Sequence, residues 1–130
     1  MPRPTTALIV DDEPHVRAYV RTLLQELGLT TFWEAAHGDE VMPLVAANAP
    51  GIVLLDVNLP GKNGLQVLEQ ILAAHPEVPV VMVTAQNSME TAKQAAALGA
   101  SGYILKHSSR PAVLIELREL IESLDEDETE

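Results

Sequence analysis

Cysteine is absent from this chain of 130 residues. Disulfides, thiolate metal sites and a cysteine nucleophile are excluded, and a reducing compartment such as the cytoplasm is the expected location. No apolar stretch approaches the length of a membrane span. The first residues, Met1-Pro2-Arg3-Pro4-Thr5-Thr6, lead into a strand without the apolar core of a signal peptide. Basic residues are scarce: 8 Lys and Arg stand against 19 Asp and Glu. No Lys/Arg cluster offers a nucleic acid a landing site, so direct nucleic-acid binding is not expected. Five of the acids (Asp125, Glu126, Asp127, Glu128, Glu130) crowd into the last six residues. We expect one domain over residues 1–124, then a solvated acidic tail over 125–130. Before that tail there is no internal repeat, linker or low-complexity segment. The chain is 47% hydrophobic, too apolar for a disordered one and long enough for a real core.

Apolar runs alternate with helical patterns five times. Strands are predicted at Ala7–Val10, Thr30–Ala35, Gly51–Leu55, Val78–Val83 and Gly102–Leu105. The first helix, 14–27, places Val16, Val20, Leu23, Leu24 and Leu27 at helical spacing, with Pro14 in its first turn and Gly28 as a stop. Pro43 falls within the second, 39–48, which must kink or start late. The third, 64–74, turns Leu65, Leu68, Ile71 and Leu72 inward. Asn87 and Glu90 stand three apart like a capping box, opening the fourth helix through Leu98, which Gly99 ends. Ser109-Arg110-Pro111 opens the fifth, with Val113, Leu114, Leu117, Leu120 and Ile121 inward. Unbroken alternation predicts an α/β doubly wound sandwich, (βα)5 and flavodoxin-like. Its parallel sheet should run in the order 2-1-3-4-5, with two helices on one face and three on the other.

Open parallel sheets bind ligands at the carboxyl ends of their strands. Here those ends carry Asp11-Asp12-Glu13, Asp56, Thr84 and Lys106. Asp11, Asp12 and Asp56 come from strands that lie side by side in such a sheet. Three carboxylates repel one another unless a cation holds them, and an oxygen-only set favours Mg²⁺ or a similar hard ion. Alternatively, the Asp11-Asp12 pair serves as the N-cap of the next helix. Thr84 and Lys106 would supply a hydroxyl and a cation to a phosphoryl group, although each is also an ordinary strand-end residue. Ala85 is small and leaves space beside them. Gly61 and Gly64 shape the turn after Asp56.

Taken in order, these segments resemble a response-regulator receiver domain of two-component signalling. The matching stretches are Leu8-Ile9-Val10-Asp11-Asp12-Glu13-Pro14, Asp56 through Gly64, Val83-Thr84-Ala85 and Gly99 through Lys106. The resemblance covers about residues 5–124. It implies that Asp56 accepts a phosphoryl group from a sensor histidine kinase or a histidine phosphotransfer protein. It implies Mg²⁺ held by Asp12, Asp56 and the backbone carbonyl of Asn58, with Asp11 acting through water. Thr84 and Lys106 would contact the phosphoryl oxygens, and Tyr103 would be the aromatic switch residue coupled to Thr84. Asn58 and Gln86 occupy the family's rate-tuning positions. The output would be an altered surface on the fourth helix, fifth strand and fifth helix, which docks an effector domain or protein, or a second copy. Such a domain assists its own phosphorylation without being a dedicated enzyme.

One position departs from the pattern. Receivers usually carry a proline with a cis bond after the lysine, and here His107 follows Lys106. A cis bond before a non-proline residue costs about 2.5–4 kcal/mol, so this loop is either trans with a different shape or strained. His107, His15, His37 and His75 read as surface or helix-end residues.

Three rival readings fit the residues less well. An Asp-nucleophile phosphohydrolase needs a second acid two residues after the first, where Asn58 stands. A nucleotide-binding flavodoxin-like or Rossmann domain needs a glycine-rich phosphate loop where Asp11-Asp12-Glu13 would repel a pyrophosphate. A degenerate receiver, binding partners without phosphorylation, is opposed by the full acid set with Thr84 and Lys106. No effector segment follows residue 124, so a single-domain regulator or a piece of a longer one is expected.

Overall fold

The computed structural model describes residues 3–125. Its elements are β1 (Thr6–Val10), α1 (Pro14–Glu26), β2 (Thr31–Ala35), α2 (Val41–Asn48), β3 (Ile52–Leu55), α3 (Gly64–Ala74), β4 (Val80–Thr84), α4 (Met89–Leu98), β5 (Gly102–Leu105) and α5 (Arg110–Leu124). Every strand pair is parallel, and the sheet order is β2-β1-β3-β4-β5, as the alternation predicts.

The two central strands explain themselves. All of β3 and β4 is buried, because helices cover both faces. Successive side chains of a strand point to opposite faces. Ile52, Leu54, Val81 and Val83 thus meet Val16, Val20 and Leu23 of α1 and Val113, Leu117 and Ile121 of α5. Val53, Leu55, Val80 and Met82 meet Val41 and Val45 of α2, Val67, Leu68 and Ile71 of α3, and Ala95 of α4. Two helices cover one face and three the other, as expected.

Several boundaries differ from expectation for local reasons. A 3-10 turn, Gly38–Glu40, precedes α2, so this helix starts late and Pro43 falls in its first turn, where no N–H partner is needed. The Glu40 carboxylate accepts the N–H groups of Ala36 and His37 at 2.8 and 3.1 Å. Those two bonds hold its pKa below the ordinary value. β4 starts at Val80 rather than Val78: Val78 N–H closes a turn onto His75 O, and Pro79 offers only its carbonyl, to Val53 N–H. In α3, Leu68 and Ile71 are buried as predicted. Leu65 and Leu72 lie at the margin, and the unpredicted Val67 is fully buried. In α5, Leu114 and Leu120 likewise pack at the edge of the core. Ser88, not Asn87, caps α4, its hydroxyl accepting Thr91 N–H at 3.2 Å. Of the expected tail, Asp125 is exposed and residues 126–130 lie outside the described residues. No helix among the described residues is long and apolar enough to cross a membrane.

Candidate functional site

β1 and β3 end side by side, and Asp56 N–H donates to Val10 O across that pair. This register brings carboxylate oxygens of Asp11, Asp12 and Asp56 within 4.8 Å of one another. Asp11 and Asp56 are buried, and Asp12 is exposed at the mouth. Neither Asp11 nor Asp12 caps α1. The capping position is Glu13, without a side-chain cap, so the acids are not explained by helix initiation. Asp11 Oδ1 instead accepts Glu13 N–H at 2.9 Å, while Arg17 holds the Asp11 carbonyl at 2.7 Å.

Lys106 crosses to this group from the end of β5. Its Nζ lies 2.8 Å from Asp11 Oδ2, 3.0 Å from Asp56 Oδ2 and 3.3 Å from Glu13 Oε1. Burial alone would lower the lysine pKa. The hydrogen bonds to Asp11 and Asp56 outweigh that and hold it well above the ordinary value, so the ammonium stays charged. Burial pushes the Asp11 carboxyl up from its usual value, against the pull of Lys106 and Glu13 N–H. The peptide bond between Lys106 and His107 is trans, as are all others described. Lys106 is still anchored, because its N–H donates to Thr84 O at 2.9 Å.

The donor set fits a hard divalent cation. It is all oxygen, and one lysine cannot neutralise three clustered carboxylates. The exposed Asp12 and the Val57–Asn63 turn line a surface depression that gives an ion a way in. Titration with Mg²⁺ is expected to shift the backbone amide resonances of Asp11, Asp12 and Asp56. Saturating Mg²⁺ that leaves all three unmoved would remove the metal site.

The turn after Asp56 is held tightly. Gly64 N–H donates to Val57 O at 2.6 Å. A Cβ on Gly64 would run into the Asp56 carbonyl, with Val57 Cα only 2.7 Å away. Asn63 caps α3, its Oδ1 taking Leu65 N–H at 2.7 Å, and Gln66 returns a bond to Asn63 N–H at 3.2 Å. Asp56 Oδ1 accepts Asn58 N–H at 3.2 Å, while Oδ2 faces the lysine.

Thr84 is fully buried at the end of β4, and its Oγ1 accepts Gln86 N–H at 3.3 Å. Accepting that bond leaves the hydroxyl proton for a second partner. Tyr103 is half-buried on β5, and its hydroxyl donates to Gln86 O at 2.8 Å. Burial, then the Asp56 charge, raises its pKa, so it stays a phenol. Three participants are not legible in the sequence: Glu13 as a third partner of Lys106, Gln86 as a junction, and Thr91 as its partner. The Gln86 side chain also bridges Asn58 Oδ1 at 3.1 Å and Thr91 Oγ1 at 3.1 Å. Nothing in the local sequence marks Thr91 as a partner, since the contact depends on how two loops fold back.

Comparison with known proteins follows the same lines. The family model for the response regulator receiver domain matches residues 7–118. Protein CcdB of Bacillus subtilis (strain 168) is 34% identical over 110 residues, covering 85% of this chain and 92% of that protein. The response regulator protein PilR of Pseudomonas aeruginosa is 38% identical over 115 residues. The match spans 88% of this chain but only 25% of PilR. Among solved structures, the crystal structure of the receiver domain of NtrX from Brucella abortus superposes with a TM-score of 0.80 at 33% identity, covering 90% of this chain and 98% of that one.

Proposed function

Because this chain belongs to the response regulator receiver family, we propose that it is a phospho-accepting switch of two-component signalling, with Asp56 as the acceptor. The observation that carries the reading is the Asp11–Asp12–Asp56 cluster with Lys106 bridging the two buried members. A phosphohistidine on a sensor kinase or phosphotransfer protein is the donor. The response surface is α4, β5 and α5, where Met89 and Ile115 are exposed and an effector or a second copy would dock. Such a module works in the cytoplasm.

Each residue has a role set by its position. Asp56 Oδ attacks phosphorus in line with the donor nitrogen, and the P–N bond breaks as the P–O bond forms. Two anions must approach for this, so charge neutralisation and positioning dominate the barrier. Lys106 already contacts Asp56 and follows the charge onto the phosphoryl oxygens. Asp12, Asp56 and the Asn58 carbonyl would hold Mg²⁺, with Asp11 acting through water. When bound, that cation would supply positive charge that offsets the repulsion between the two anions. Thr84 gives its free hydroxyl proton to another phosphoryl oxygen. Thr84, Gln86 and Tyr103 are joined by hydrogen bonds, so movement at Thr84 is felt at Tyr103 on the docking surface. The modification shifts this equilibrium only by its differential contacts with the two states.

The test is direct. With Mg²⁺ and a small-molecule phosphodonor, intact mass should rise by one phosphoryl group that is acid-stable and base-labile. Chelation of Mg²⁺ should prevent the gain. A protein whose mass stays unchanged, with the metal shown to be bound, is a phosphorylation-independent binding module instead.

A further inference from the structure

We propose that Thr91 is a positioning residue for the Asp56 site, acting through Gln86 to prolong the aspartyl phosphate; this rests on Asp56 being the acceptor. A continuous chain of hydrogen bonds supports it. Asn58 N–H donates to Asp56 Oδ1. Gln86 Nε2 donates to Asn58 Oδ1 at 3.1 Å, bridging the loop after β3 to the loop after β4. Thr91, in the first turn of α4, donates from Oγ1 to Gln86 Oε1 at 3.1 Å.

The Gln86 backbone is pinned on both sides, its N–H to Thr84 and its carbonyl to Tyr103. Only its side chain is left to be placed. Ordering a glutamine side chain costs about as much as one net hydrogen bond returns. The Asn58 contact alone therefore does not hold the bridge, and the Thr91 contact supplies the second bond. With the Thr91 hydroxyl donating to Oε1, Nε2 is the end that donates to Asn58.

The bridge ties the loop that begins at Asp56 to the loop after β4. In the loss of the phosphoryl group, a water oxygen bonds to phosphorus. The bond from phosphorus to the Asp56 oxygen breaks, its electron pair returns to the carboxylate, and inorganic phosphate leaves with the water's protons. A closed bridge impedes that water and a released one admits it.

The experiment follows decay of the phosphorylated protein after the phosphodonor is removed, with Mg²⁺ present. Thr91→Val keeps the side-chain shape and removes the hydroxyl. It should accelerate decay about three- to tenfold, the span of one net hydrogen bond. Thr91→Ser should decay like the unsubstituted protein. Gln86→Ala should decay as fast as Thr91→Val, and the double variant no faster than either, because both break one bridge. In unmodified protein the Gln86 side-chain amide resonance should move in Thr91→Val and hold its place in Thr91→Ser. Normal uptake with unchanged decay in Thr91→Val overturns this inference alone, as does acceleration that persists in the Gln86→Ala background. Absence of uptake in the unsubstituted protein overturns the acceptor reading and this one with it.

Discussion

Asp56→Asn should abolish phosphoryl uptake while leaving the fold intact. The substitution is nearly isosteric and keeps an oxygen able to accept Asn58 N–H, the contact made at 3.2 Å. What it removes is the nucleophile, because an amide oxygen carries no negative charge to attack phosphorus. The neighbouring acids are poor replacements. Asp11 is buried and engaged on both oxygens, by Glu13 N–H and Lys106. Asp12 is exposed and has no lysine contact among the described ion pairs. Intact mass and peptide mapping after incubation with the phosphodonor decide the matter. Labelling that survives would move the acceptor elsewhere, with exposed His107 the first residue to test.

Gly64→Ala should be the most damaging conservative substitution near the site. The added methyl meets the backbone of Asp56 and Val57 rather than a flexible side chain. Either α3 moves outward or the end of β3 moves, and the second displaces Asp56 directly. Overpacking of this kind costs about 1–3 kcal/mol, and the stiffness of backbone places this case at the upper end. Misplacing a reacting group by about 1 Å can cost on the order of a hundredfold in rate, so uptake should fall about tenfold or more. Gly61→Ala is the control. That glycine has a φ of +79°, and no atom lies within 4 Å of the place a Cβ would take. Its replacement costs roughly 1–2 kcal/mol of left-handed strain and should leave uptake near normal. Urea midpoints and uptake rates of the two variants separate strain from misplacement. Equal uptake in both, with a urea midpoint for Gly64→Ala no lower than that of Gly61→Ala, would refute the close approach at Gly64.

The order of the strands and the identities of the strand-end residues were readable because both depend on periodicity and on where apolar runs stop. Leu8, Ile9 and Val10 run straight into Asp11, and such an ending can only lie at a sheet rim. The Ser88 cap was harder to see. Asn87, Ser88 and Glu90 offer competing capping patterns, and only the extended backbone of Ser88 selects one. Val67 escaped for a related reason: Leu65 and Leu72 promised a wider apolar stripe than α3 buries. The conformation after Lys106 was undecidable from composition, since His107 forbids neither isomer. Gln86 was visible as a position but not as a junction. Its partners, Asn58, Thr91 and Tyr103, lie 28, 5 and 17 residues away, and no local rule sums such distances.

The sheet divides the interior into two packing compartments that share strands but not side chains. Substitutions at Leu23 in one and Ile71 in the other should therefore add in their effects on stability, as distant sites do. That separation has an evolutionary reading. Drift in the α1 and α5 compartment can reshape one flank of the molecule while the α2, α3 and α4 compartment keeps its fit. The α4, β5 and α5 surface draws on both compartments, so a change in its shape can come from either side of the sheet.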